Sequence, residues 1–176
     1  MPDEIRNYLN RQRENMKKEY IMPFVEATQA VFQDFFGIVP ELDTPYLVTK
    51  EETLNWDISG IIGIAGESRG VVVVSITSLV AMTLTSRLVG KKITSLDSDV
   101  IDTIGEITNI IAGNAKKGFE DCRLKISLPS IIKGRDHEIF WPKQDIPIIS
   151  IPFTIPEGKI MLFVGLEKKI TSDMFL

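Results

Sequence analysis

WDISGIIGIAGESRGVVVVSI, residues 56–76, reads as two strands joined by a turn. Residues 56–65 and 70–76 are rich in isoleucine and valine, residue types that favour strands. The Gly66-Glu67-Ser68-Arg69-Gly70 stretch between them has turn composition, so a hairpin is predicted. Glycine-rich as it is, the turn lacks the lysine and the spacing of a phosphate-binding P-loop. The four valines 71–74 read as a buried strand. Residues 70–82 are the most apolar stretch, and they fall short of the ~20 residues of a bilayer-spanning helix.

Working outward, residues 78–89 predict a helix with Val80, Met82, Leu84 and Leu88 apolar and Gly90 closing it. Residues 97–120 are the longest helical stretch, 123–127 a strand, and Pro129 and Gly134 mark a loop after it. Strand-like runs follow at 146–155 and 159–166. Pro147, Pro152 and Pro156 each remove a ladder donor, which favours edge positions or bulges there. The tail from Lys168 onward is expected to fray, residues 171–176 above all.

Upstream of the hairpin, YIMPFVEATQAVFQDFFG (20–37) has Pro23 placed for a first helical turn. Phe24, Ala27, Thr28, Val31, Phe32 and Phe35 share one face, and Gly37 suits a C-cap. Residues 1–19 form a charged extension, expected to be helical, with Ile5, Leu9 and Met16 as a thin apolar stripe. A solvated helix is the plain reading of it, a docking arm the sharper one. Residues 20–170 are expected to form the folded domain. Helix, strands, two helices, strands is the order of an α+β fold, with helices packed on a largely antiparallel sheet.

Composition narrows the function. With 176 residues, 44% of them hydrophobic and 25% charged, the chain can bury an ordinary single core. The net charge of −4 disfavours nucleic-acid binding. One cysteine, Cys122, excludes an intrachain disulfide and fits a reducing compartment. Together with one histidine, His137, it cannot form a conventional zinc cage. No signal peptide is apparent, so a cytoplasmic location is expected, with no membrane partner. His137 falls in the loop stretch GRDHEIFW and reads as a surface residue, Cys122 as structural or incidental, and Trp56 and Trp141 as packing.

The helix at 97–120 carries the chemistry. Asp97 or Ser98 can cap it, and Asp99 and Asp102 suit the positive end of its dipole. At ~100° per residue, Val100, Ile101, Ile104, Ile107, Ile111, Ala115 and Phe119 gather on a core face. Opposite them, Asp102, Glu106, Asn109 and Gly113 lie within about 60° of one another. Glu106 and Asn109, three apart, project together from adjacent turns. A carboxylate can grip a cation, and a carboxamide, both donor and acceptor, can orient water. Gly113 costs roughly 1 kcal/mol in mid-helix relative to alanine, and it allows another molecule close approach. A charged outer face is also what any surface helix presents, so the wheel locates a face and not a reaction.

The series Asp102, Glu106, Asn109, Gly113-Asn114 resembles the helix motif of the CheX branch of the CheC/CheX/FliY phosphatases. Residues 20–37 are similar to that family's opening helix, and SLPSIIKG (127–134) resembles its Pro-to-Gly loop. The resemblance covers roughly residues 20–168. Residues 78–90 contain neither Glu nor Asn, so one site per chain is expected, as in CheX. The resemblance implies a homodimer that hydrolyses the aspartyl phosphate of a CheY-like phosphorylated response regulator. Asn109 would orient the attacking water and Glu106 would bond a lysine of the partner, with Asp102, Gly113 and Asn114 at the docking surface. No cofactor is expected in this chain, and Mg2+ is expected in the partner's active site. The sequence holds no evident Ser-His-Asp set, Cys-His pair or metal cluster, which fits an enzyme that completes its partner's site. Two other readings remain open. One is a non-catalytic dimeric module that binds a response regulator, and the other is a flagellar component of the same fold.

Overall fold

A computed structural model describes residues 3–48, 56–119, 123–141 and 146–167, and for 3–18 the backbone alone. Cys122, the tail from 168 onward and the Ile5–Leu9–Met16 stripe therefore lie outside the described residues or side chains.

The predicted hairpin is β3 (Trp56–Gly66) and β4 (Gly70–Ile76), paired antiparallel from Ile58 opposite Ile76 to Ile64 opposite Gly70. Around it run β5 (Leu124–Ile126), β6 (Ser130–His137), β7 (Ile149–Ile155) and β8 (Gly158–Leu166). Two short strands, β1 (Glu41–Leu42) and β2 (Tyr46–Leu47), complete one eight-stranded sheet. Its order is β1-β7-β8-β4-β3-β5, with β2 also on β7 and β6 also on β3, and every pairing is antiparallel.

Three helices, α1 (Asp3–Phe36), α2 (Ser78–Val89) and α3 (Ser98–Lys117), pack with the sheet around one core, an α+β architecture. Ile58, Ile62, Val72, Val74 and Leu162 belong to that core. Val73, Met161, Phe163 and Trp56 belong to a second cluster on the other face, partly covered by Ile139, Ile148 and Trp141. The Trp141 ring lies 5.6 Å from that of Phe163. Burial on both faces explains why β4 shows no apolar–polar alternation.

Several expectations are corrected. The longest helix is α1, with 34 residues, and not α3, with 20, because the charged stretch continues the helix that precedes the hairpin. Pro23 lies inside α1, which begins far upstream of it, and not in a first helical turn. An interior proline removes a helical hydrogen bond at about 3 kcal/mol, and tertiary packing holds this helix together instead. A Cβ on Gly118 would stand 2.6 Å from Pro23 Cβ, so the pyrrolidine ring sits directly against the end of α3. Phe24, Val31 and Phe32 are fully buried, whereas Phe35 and Leu88, 37% and 44% exposed, sit on the surface. Gly37 does close α1, at φ 66°, its N–H bonded to Gln33 O at 3.0 Å.

The stretch after β5, expected as a loop, is strand β6, paired with β3. His137 is the last residue of that strand, not a loop residue. Its Nε2 lies 2.8 Å from Ser59 Oγ, and Nδ1 lies 2.9 Å from Gly134 O. A carbonyl only accepts, so Nδ1 donates to Gly134 O. Ser59 Oγ in turn lies 2.7 Å from Ser75 Oγ, and both serines are fully buried.

Pro152 is not on an edge strand as expected, since β7 pairs with β8 on one side and with β1 and β2 on the other. Its carbonyl accepts from Asp43 N at 2.9 Å, which puts the side lacking an N–H at the gap between β1 and β2. Tyr20 fastens α1 to the end of β8 by donating to Leu166 O at 3.1 Å, and burial pushes its hydroxyl well above the usual phenol range.

Candidate functional site

Helix α3 starts where the sequence places a cap: Asp97 Oδ1 accepts from Val100 N at 3.2 Å. Asp99 sits in its first turn and Lys116 and Lys117 in its last, both favourable to the macrodipole. Val100, Ile104, Ile107, Ile111 and Ala115 are buried as expected, and Ile101 and Phe119 are half-buried. Thr103, Gly105, Thr108 and Ala112 are buried as well, so the hidden arc is wider than its apolar residues alone define.

On the remaining arc Asp102 and Glu106 are exposed, and Asn109 and Gly113 are half-buried. Asp102, Glu106 and Asn109 make no side-chain hydrogen bond or ion pair among the described residues. Asn114 is placed differently. It lies about 140° round the helix from Asn109, and its Oδ1 accepts from Lys117 Nζ at 3.2 Å. The structure thus brings Asp102, Glu106, Asn109 and Gly113 together on one face and leaves Asn114 off it.

One flank of this face is bounded by the chain leaving β5. A Cβ on Gly113 would lie 3.8 Å from Ile126 Cδ1, and one on Gly105 would lie 3.7 Å from Pro129 Cγ and 3.8 Å from Ile131 Cδ1. The segment 126–131 therefore runs antiparallel to α3, from Gly113 to Gly105, past Asn109 midway. Ser127 pins it to β3. Its N–H donates to Gly63 O at 2.9 Å, its Oγ accepts from Gly63 N at 3.0 Å, and that hydroxyl donates to Leu128 O at 2.8 Å.

Another anchoring group escaped the sequence reading. Asp57 on β3 accepts from Ser78 N at 2.6 Å and from Asp136 N at 3.3 Å, tying β6 to the start of α2. Thr77, at the N-cap of α2, makes no side-chain cap of its own. The partners lie 21 and 79 residues away in sequence, so no local pattern could reveal them.

Among the described residues no group of three or more His, Cys, Asp or Glu could hold a metal ion, and no helix is long and apolar enough to cross a membrane. An open depression of about 510 Å³ lies at the C-terminal end of α2, lined by Thr83, Ser86, Arg87, Gly90, Lys91 and Lys92. None of the polar residues of the α3 face lines it. Arg87 there pairs with Glu157, and Lys91 pairs with Asp99 at 2.6 Å.

The chain matches the family described as chemotaxis phosphatase CheX over residues 58–154, more than half its length and all of α3. It is 25% identical over 143 residues to the CheY-P phosphatase CheX of Thermotoga maritima, covering 80% of this chain and 90% of that one. A chemotaxis protein CheX from Desulfovibrio desulfuricans superposes with a TM-score of 0.76 at 31% identity, covering 85% of this chain and 99% of the other. A CheX–CheY–BeF3–Mg2+ complex from Borrelia burgdorferi gives a TM-score of 0.70 at 26% identity, over 85% and 98%.

Proposed function

This chain belongs to the chemotaxis phosphatase CheX family, and from that premise we propose that it hydrolyses the aspartyl phosphate of a CheY-like response regulator. A relative named as a CheY-P phosphatase and a solved CheX–CheY complex support the substrate class. The observation that carries the reading is the α3 face itself. A carboxylate and a carboxamide one turn apart point the same way, and neither is engaged elsewhere among the described residues.

In this reaction water attacks phosphorus in line, the bond from phosphorus to the aspartyl oxygen breaks, and the partner's carboxylate is regenerated as inorganic phosphate leaves. The enzyme supplies no nucleophile. Its contribution is position, which is most of what phosphoryl transfer requires. Asn109 holds the water, because a neutral amide can donate and accept without placing negative charge beside a phosphoryl group. Glu106 pairs with a lysine of the partner and fixes the approach of α3. Asp102 and Gly113 form the surrounding surface, and Asn114 supports it from the neighbouring arc. Mg2+ belongs to the partner's pocket. The enzyme works as a cytoplasmic homodimer with one site per chain.

Phosphate release from a phosphorylated receiver tests this. Catalytic amounts of the protein shorten the half-life of the phosphoreceiver, and Asn109→Ala reduces kcat by a factor on the order of 10². An unchanged half-life with every phosphorylated receiver of the host would defeat the reading.

The unbroken run of α1 through the charged stretch favours a second reading, a docking module without catalysis. It requires receiver binding that survives Asn109→Ala, with no acceleration of phosphate loss by either protein.

A further inference from the structure

We propose that Leu128 is the apolar contact that seats the phosphorylated receiver against α3, and so sets affinity at the Asn109 face. The inference rests on the phosphatase reading and adds to it a residue outside the helix motif.

The placement follows from two glycines. Gly105 and Gly113 are eight residues apart, about 12 Å along the helix. Ile126 and Pro129 touch those two positions from outside, three residues apart and about 10 Å in extended chain. Asn109 is the midpoint of the first pair, and Leu128 lies between the members of the second. The two therefore stand side by side. Leu128 is 87% exposed.

An exposed leucine alone carries nothing, since much of any protein surface is apolar. Two features set this one apart. Ser127 donates its N–H to Gly63 O, accepts from Gly63 N at its hydroxyl oxygen and gives the hydroxyl proton to Leu128 O, so the segment is ordered before any partner arrives. Preorganised apolar groups lose little freedom on binding. The second feature is charge. The face beside it carries Asp102 and Glu106, and its basic side chains, Lys116 and Lys117, come only in the last turn of α3, beyond Gly113. The aspartyl phosphate that the receiver presents is itself anionic, so charge offers this face little attraction beyond the lysine contact proposed for Glu106. An apolar contact at the rim supplies attraction that does not depend on charge.

The test is steady-state phosphate release as a function of phosphoreceiver concentration, for the full chain and for Leu128→Ala, Leu128→Asp, Leu128→Met and Asn109→Ala. KM rises about tenfold for Leu128→Ala and further for Leu128→Asp, stays near wild type for Leu128→Met, and kcat remains within twofold for these three Leu128 variants, whereas Asn109→Ala loses kcat. Melting temperatures stay unchanged because the side chain has no packing to lose. An unchanged KM for Leu128→Asp, with kcat lost in Asn109→Ala, overturns the inference and leaves the phosphatase reading intact. Full kcat in Asn109→Ala defeats the catalytic roles instead, and direct titration of the receiver then decides Leu128: equal affinity for wild type and Leu128→Asp overturns it. A change in sedimentation mass for Leu128→Asp at unchanged KM also overturns it, because the leucine then belongs to an interface between copies of this chain.

Discussion

The Thr108 hydroxyl stands in the space that a side chain on Gly60 would need. Gly60 lies in the middle of β3, and Thr108 is fully buried on α3, its hydroxyl turned back to Ile104 O at 2.7 Å. The helix therefore rests on the bare backbone of the strand. The residue after Thr108 is Asn109, so this contact sets how far the candidate site stands from the sheet.

Gly60→Ala is expected to destabilise by about 1–3 kcal/mol, the usual penalty for overfilling a packed core. The melting temperature falls by several degrees in a chain of this size. Thr108→Ala removes the two outer atoms of the clash, so the double variant recovers part of the loss. Thermal unfolding of the four proteins measures that coupling. Additive losses would show that the helix has room to move and that the contact does not fix it.

Asp57 predicts a dependence on pH. Burial would raise its pKa, but hydrogen bonds from Ser78 and Asp136 and the charge of Arg135 outweigh that and hold it below the usual aspartate range. A folded pKa below the unfolded one stabilises the fold above about pH 4, the ordinary aspartate value. That contribution is lost as pH falls through the lower folded value. Asp57→Asn, which keeps the shape and loses the charge at the start of α2, is expected to lower stability by about 0.5 kcal/mol at pH 7, the scale of an exposed charge at a helix N-terminus. The gap between variant and wild type closes in strong acid. Chemical denaturation at pH 7 and at pH 3 checks the sign, and a gap that widens in acid would contradict it.

How much of this was legible depends on the range of the interaction. The hairpin of β3 and β4 and the three helices are written in local periodicity, and so is the shared face of Glu106 and Asn109, since residues three apart on a helix must project together. Strand β6 was missed because it is exposed on much of both faces and carries Lys133, Arg135 and Asp136, so no alternation marks it. Strands β1 and β2, two residues each, are too short to show a period. Pro23 pointed to a helix start by local preference, and what leaves room for its ring against α3 is the missing side chain of Gly118, distant in sequence. The His137–Ser59–Ser75 series joins three strands for the same reason. The wheel could place Asn109, but nothing local could place Leu128 beside it.

Gly113 separates a role in folding from a role in docking. Glycine in mid-helix is destabilising by roughly 1 kcal/mol relative to alanine. Elsewhere in this chain a glycine stands where a side chain would collide, as at Gly60 in β3. At Gly113 a Cβ would meet only Ile126 Cδ1 at 3.8 Å, an ordinary contact. Gly105, the neighbouring helical glycine, is similar, with its closest atoms at 3.7 and 3.8 Å, but it is buried against Pro129 and Ile131. Both alanine variants are therefore expected to be as stable as wild type or up to about 1 kcal/mol more so. They part company in activity. Gly105→Ala, hidden from any partner, keeps wild-type KM and kcat. Gly113→Ala places a methyl on the face where the receiver approaches, and its KM rises severalfold although the protein is no less stable. Thermal unfolding and steady-state phosphate release on the same samples decide the matter, and a Gly113→Ala protein with unaltered KM would remove Gly113 from the docking surface.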